Sequence, residues 1–215
     1  MCTRLAPIWI LFLLCIPMHA VGLNLFNGSR GATIIKARDA RAEARDAAAE
    51  LARCLHLATG AEFPIVSEDS PLSPSPLARI YVGPCSALPP GDAMQLESLD
   101  RDAYIVHITG NNTVFLVGPR PWSTYWAACQ FLEDEIGVRW LIPGPLGEDI
   151  PRHRSLSPQP GRRVFQPAFL SRLWSGAQHG GKWSLRQRIH GRYAFHHNLI
   201  RIFDPDRFYD QHPEW

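Results

Sequence analysis

The sequence predicts an α+β protein: a small antiparallel or mixed sheet with two helices on one face, followed by the opening of an α/β unit. Three observations predict it. Two segments, 39–59 and 122–136, carry apolar residues at helical spacing. Short β-rich runs surround them, and two of these flank a Gly-Asn-Asn turn and must pair antiparallel. After a proline-dense stretch, a strand, helix, strand pattern begins.

In chain order, Arg4 precedes an apolar run at 8–16 closed by Pro17, the layout of a signal peptide over 1–20 with cleavage after Ala20. Lipid attachment at Cys15 is the alternative, opposed by the bulk of Leu14 before it. The run is shorter than the roughly 20 residues that cross a bilayer, and no later segment approaches that length. A secreted or periplasmic protein with no membrane anchor after cleavage is expected.

An α+β unit over 21–150 comes next. Residues 32–36 read as a strand, and in 39–59 Ala47, Leu51, Leu55 and Ala58 share a helix face that Gly60 stops. Short strands are predicted at 63–66 and 78–82, with loops at 67–77 and 87–99. The hairpin pairs 103–109 with 113–117 around Gly110, Asn111 and Asn112. The second helix presents Tyr125, Ala128, Cys129, Leu132 and Ile136 and ends at Gly137, before a returning strand at 138–142. Residues 151–166 read as a Pro-rich linker. Beyond it, 167–215 offers a buried strand at 169–174, a helix at 183–196 and a second buried strand at 199–203.

Composition excludes some functions. The formal net charge is +2 with 20% charged residues, so nothing supplies the basic excess that neutralises a phosphate backbone, and no nucleic-acid partner is predicted. Of five cysteines, Cys54, Cys85 and Cys129 survive cleavage, too widely spaced for a zinc knuckle. They read as small buried hydrophobes or as at most one disulfide. His190, His196, His197 and His212 form no His-Glu-x-x-His motif and no i, i+4 pair, so no metal and no cofactor are predicted. Asn27 and Asn111 lie in Asn-x-Ser/Thr sequons, which matter only in a eukaryotic secretory pathway.

A family resemblance runs through Glu50-Leu51, Thr59-Gly60, Phe63-Pro64-Ile65, Ile80-Tyr81-Val82-Gly83, Tyr125, Phe131-Leu132-Glu133 and Gly137-Val138-Arg139-Trp140. In that order the motifs resemble the non-catalytic N-terminal domain of bacterial alpha-glucuronidases and beta-hexosaminidases, and most of all the bacterial family called domain of unknown function 4838. The resemblance implies that the α+β domain precedes a (β/α)₈ barrel. Residues 167–215, with Pro167 to Arg172, Trp183, Arg186, Arg188 and His212-Pro213-Glu214, then correspond to that barrel's incomplete start. It further implies a secreted, glycoside hydrolase-like protein that acts on carbohydrate.

Glycoside hydrolysis generally needs two carboxyl groups facing across a sugar. Glu133, Asp134 and Glu135 end a helix and point in different directions, and Asp204, Asp206 and Asp210 read as turn formers. In the resembled enzymes the catalytic pair lies on later barrel strands, so no catalytic residue is assigned and the chain alone is expected to be inactive. The alternative is a stand-alone carbohydrate-binding or structural module. Candidate sugar contacts are four. Arg172 resembles the arginine that hydrogen-bonds sugar hydroxyls in beta-hexosaminidases, or else forms an interdomain salt bridge. Trp174 and its companion Trp183 stack on a pyranose or fill a core. His197 and Asn198 precede an apolar strand.

Overall fold

The computed structural model describes residues 23–71, 76–174, 181–192, 204–212 and 214. The predicted signal peptide at 1–20, the strand at 199–203, and both His197 and Asn198 lie outside the described residues. The fold is α+β. Its elements are β1 (Thr33–Lys36), α1 (Ala42–Thr59), β2 (Ile65–Ser67), β3 (Arg79–Val82), α2 (Pro90–Ser98), β4 (Tyr104–Ile108), β5 (Thr113–Val117) and α3 (Pro121–Phe131). A π-helical turn at Leu132–Ile136 follows, then β6 (Arg139–Trp140), β7 (Glu148–Asp149), β8 (Gly161–Phe165), α4 (Lys182–Arg186) and α5 (Pro205–Phe208).

Six strands form one mixed sheet in the order β2-β1-β3-β5-β4-β8. β2, β1, β3 and β5 run parallel, and β4 lies antiparallel between β5 and β8. The predicted hairpin is β4 and β5, with Asn112 taking the positive φ of 57° that the turn requires. β6 and β7 pair separately as a small antiparallel ribbon.

Helices α1 and α3 pack side by side on one face of the sheet. α1 is small-residued where it meets α3: Ala47, Ala48, Cys54 and Ala58 are all fully buried. Those short side chains leave room for Tyr125 and Trp126, the largest fully buried side chains of α3. Gly60, at φ 77°, and Gly137, at φ 84°, end the two helical runs in the left-handed conformation that the sequence predicts for them. From the sheet, Ile34, Ile80, Val82, Val106, Val114 and Leu116 complete this core.

Two segments differ from expectation. Residues 90–98, predicted as loop, form α2, because Pro90 is tolerated at the first helical position, where its missing N–H costs nothing. α2 reaches the sheet's other face through Asp92, which is buried and bonds His107 at 2.6 Å and Arg162 at 2.6 Å. The stretch predicted as linker contributes β8, whose register pairs Tyr104 with Phe165 and Ile108 with Gly161. As an edge strand it needs partners on one side only, which the flanking prolines allow. Its Arg162 and Arg163 alternate to opposite faces, Arg163 bonding Asp134 at 3.0 Å and Glu135 at 2.6 Å.

Beyond β8 the regular structure thins. The predicted strand at 169–174 makes a single bridge, Arg172 to His190, and Phe169 and Leu170 stay exposed. Of the predicted helix at 183–196, residues 193–196 lie outside the described residues, and the described part holds one short helix, α4, ended before the positive φ of Arg188. No helix among the described residues is long and apolar enough to cross a membrane.

The β5-to-α3 turn is tight enough to test. A Cβ at Gly118 would stand 2.3 Å from Ser123 Oγ and 2.7 Å from its backbone carbon. Gly118→Ala is therefore expected to cost about 1–3 kcal/mol, the range for forced overpacking, read as a lowered urea midpoint with unchanged slope.

Candidate functional site

α3 is buried at almost every position from Ser123 to Phe131, the exception being Gln130. A helix apolar nearly all round must be covered on both sides. The sheet and α1 cover one; residues 172–174 and 181–192 cover the other, packing Trp183 and Leu185 against the core and adding a set of ion pairs.

Asp102, just before β4, is the centre of that contact. Its carboxylate is fully buried and accepts from Trp122 Nε1 at 3.1 Å, Arg172 Nη2 at 3.0 Å and Arg192 Nε at 3.2 Å. His190 Nδ1 lies 2.9 Å from both carboxylate oxygens. Arg192 also bonds Asp100 through Nη1 at 3.0 Å and again through Nη2. The His190 ring packs against Trp122 and Trp126, at centroid distances of 5.3 and 5.8 Å. Burial alone would push the Asp102 carboxyl up, but hydrogen bonds from His190, Trp122 and Arg172 outweigh it and hold the group below the usual carboxylate range.

Two more pairings continue the seam. Arg186 bonds Glu50 at 2.6 Å and Glu148 at 2.8 Å, and Arg53 joins the same two carboxylates. Glu50 is buried, yet Arg53 and Arg186 hold its carboxyl below the usual range against that burial. Arg188 bonds Glu133 at 2.7 Å and Gln130 at 3.2 Å. It does so from a left-handed backbone at φ 57°, a strained conformation for a non-glycine residue that its surroundings must hold in place. Trp183 Nε1 and Gln187 Nε2 both donate to the Trp140 carbonyl, at 3.0 and 2.6 Å.

The predicted site residues part company here. Arg172 sits in the Asp102 cluster, as the salt-bridge alternative requires. Its Nε donates to the Arg188 carbonyl at 2.8 Å and its Nη1 to the Phe169 carbonyl at 2.9 Å, with the guanidinium 5.3 Å over the Trp126 ring. Trp174 is 46% exposed and meets Trp183 edge-on at 4.9 Å. Sequence reasoning missed Asp102, Glu50 and Glu148. The one available signal was the all-round apolarity of 122–132, which requires a second cover.

Other chemistries find little support among the described residues. No group of three or more His, Cys, Asp or Glu is placed to hold a metal ion. Burial pushes the Cys54 thiol up to about 12 and the Cys85 thiol up to about 11, far from a nucleophilic thiolate, and neither is in a disulfide.

Fold and seam together define an α+β unit to which an arginine-rich segment is fastened. No family model matches the chain, and no curated protein matches it. Among solved structures, a chain named CpGH84D, a glycoside hydrolase family 84 protein by that name, is similar at 10% identity with a TM-score of 0.31. The match covers 52% of this chain and 20% of that one, so this chain spans about a fifth of its length. At that score the likeness carries no weight for fold or activity.

Asp102 makes the seam testable. Asp102→Asn is expected to cost about 1–3 kcal/mol in a denaturant melt, because it removes the charge from a buried set of hydrogen bonds to the half-buried Arg172, His190 and Arg192. Acid should weaken the wild type in a defined direction. Asp102 and Glu50 titrate below their unfolded values, so their stabilisation is complete above the ordinary carboxylate pKa of about 4 and is lost as the pH falls toward the folded values. The Asn variant should show a flatter acid limb in a profile of melting temperature against pH.

Proposed function

We propose that this chain is the accessory part of an exported, glycoside hydrolase-like protein acting on carbohydrate, and that its α+β unit serves to seat the segment that follows it. The observation that carries this is the seam: Arg172, Arg186, Arg188 and Arg192 each pair with a carboxylate of the α+β unit. Export rests on the composition of residues 1–20, and the carbohydrate link rests on the ordered motifs from Glu50 to Trp140 that resemble glucuronidase and hexosaminidase N-terminal domains.

Carboxyl chemistry fits an accessory role. A general acid needs a pKa raised toward the working pH. Glu50, Glu68, Asp69, Asp100 and Asp102 are all held below the usual range by hydrogen bonds or arginine neighbours. On the accessory reading, the 215-residue chain is expected to release no chromophore from a panel of aryl glycosides, glucuronides and N-acetylhexosaminides included. Turnover that survives repurification would overturn the accessory role.

A second reading, a carbohydrate-binding module, is favoured by one observation: the half-exposed Trp174 beside Trp183 offers an aromatic face of the kind that takes a pyranose. Calorimetric titration with oligosaccharides separates the two. Heat that disappears in Trp174→Ala, with melting unchanged, supports the platform. Arg172→Ala is expected to lower the melting temperature and to leave any sugar affinity as it was, since its donors already serve protein oxygens.

A further inference from the structure

Arg53 of α1, Glu148 of β7 and Arg186 of α4 are brought to one place from three parts of the chain. Arg53 reaches Glu148 through Nη1 at 2.8 Å and Nη2 at 3.0 Å, and Arg186 Nη1 lies 2.8 Å from the same carboxylate. Both guanidiniums also bond the buried Glu50, at 2.8 and 2.6 Å. The four side chains hold one another in place, so the ordering that a ligand would otherwise impose on them is already met by the fold. Two guanidiniums against two carboxylates leave the cluster polar and without net charge.

A cavity of about 410 Å³ opens on this cluster, within the range of small-ligand pockets. Arg53, Glu148 and Arg186 line it together with Lys182, Trp183 and the turn at 144–145. Trp183 is a fixed wall: its Nε1 donates to the Trp140 carbonyl at 3.0 Å, and Trp174 meets it edge-on at 4.9 Å. The polar wall keeps bonding capacity. Among the described residues Glu148 Oε2 accepts only from Arg53 Nη1, and that Nη1 donates only to Oε2, so one lone pair and one N–H remain side by side. Both side chains reach solvent, Glu148 at 18% and Arg53 at 37% exposure. A hydroxyl is at once donor and acceptor, and a vicinal pair of hydroxyls matches an adjacent acceptor and donor. The C–H face of a pyranose in turn suits an indole. An anion would find no surplus of cations in the cluster, and a hydrocarbon would strand its charges.

We propose that this cavity binds one pyranose unit of a neutral oligosaccharide, with the ring on Trp183 and two of its hydroxyls on Glu148 and Arg53. The assignment rests on the carbohydrate-binding reading and gives it a place distinct from the face of Trp174. Calorimetric titration of the full chain with xylotetraose, cellotetraose and N-acetylchitotetraose tests it, paired with hydrogen exchange of the wild-type amides. At least one sugar is expected to bind with a Kd of about 1 mM or tighter, with affinity unmoved by salt because no charge is neutralised. The same sugar should slow exchange in peptides covering 144–148 and 182–187. Arg53→Gln should weaken it about tenfold, roughly the worth of one charge-assisted contact. Arg53 also serves Glu50, so the variant is read beside its melt, and wild-type exchange decides the matter where the variant does not fold. Heat without protection at 144–148 or 182–187, or an unchanged Kd in an Arg53→Gln chain that melts like the wild type, overturns this site. If Trp174→Ala then abolishes that heat, the binding-module reading still stands; no heat from any of the three sugars overturns both.

Discussion

A carboxylate with no solvent exposure needs its charge answered on the spot, and Asp102 is answered from two directions. Trp122 comes from the neighbouring helix. Arg172, His190 and Arg192 come from residues that follow the sheet. Without the second set the group would be a desolvated anion beneath the start of β4; with it, three cationic or polar side chains are tied to one point. The position of 172–174 and 181–192 on α3 is therefore set by charge geometry, which is directional, where an apolar contact of the same area would permit sliding.

That docking in turn explains the composition of the two helices. α1 is built from alanines because the aromatic bulk of the layer is on α3, and α3 can be apolar on its far side because the arginine segment lies over it. Arg172 over Trp126 and Arg186 over Trp140 use their flat guanidinium faces on indole while their N–H groups reach carboxylates, a pairing lysine cannot reproduce. Glu50 and Glu148, brought together from α1 and β7, complete a second anchor around Arg53 and Arg186.

Local signals made part of this legible in the sequence. Helical spacing with a glycine stop identified α1 and α3, and a positive-φ turn between β-rich runs identified the β4–β5 hairpin. What failed did so where local and tertiary preferences disagree. Pro89, Pro90 and Gly91 read as loop although proline suits a first helical turn, and Arg162 and Arg163 read as solvated linker although each finds carboxylates on its own face of the sheet. The seam was hidden for a different reason. An aspartate such as Asp102 ahead of a strand looks like a turn former, and its arginine and histidine partners lie 70 to 90 residues further along the chain. Arg172 could be named beforehand, but not the choice between a sugar and Asp102.

The separation between partners also orders assembly. The hairpin closes over a few residues and can form as soon as it is made, whereas the contact of Arg186 with Glu50 spans 136 positions. Until α4 arrives, Glu50 has Arg53 and the Cys54 thiol from its own helix, and α3 has an uncovered apolar flank. On a ribosome the sheet and its two helices would thus emerge as a layer with one sticky side, at risk of association with other chains until residues 172–174 and 181–192 close it. The arginine segment is in that sense a later step of folding than the layer it covers.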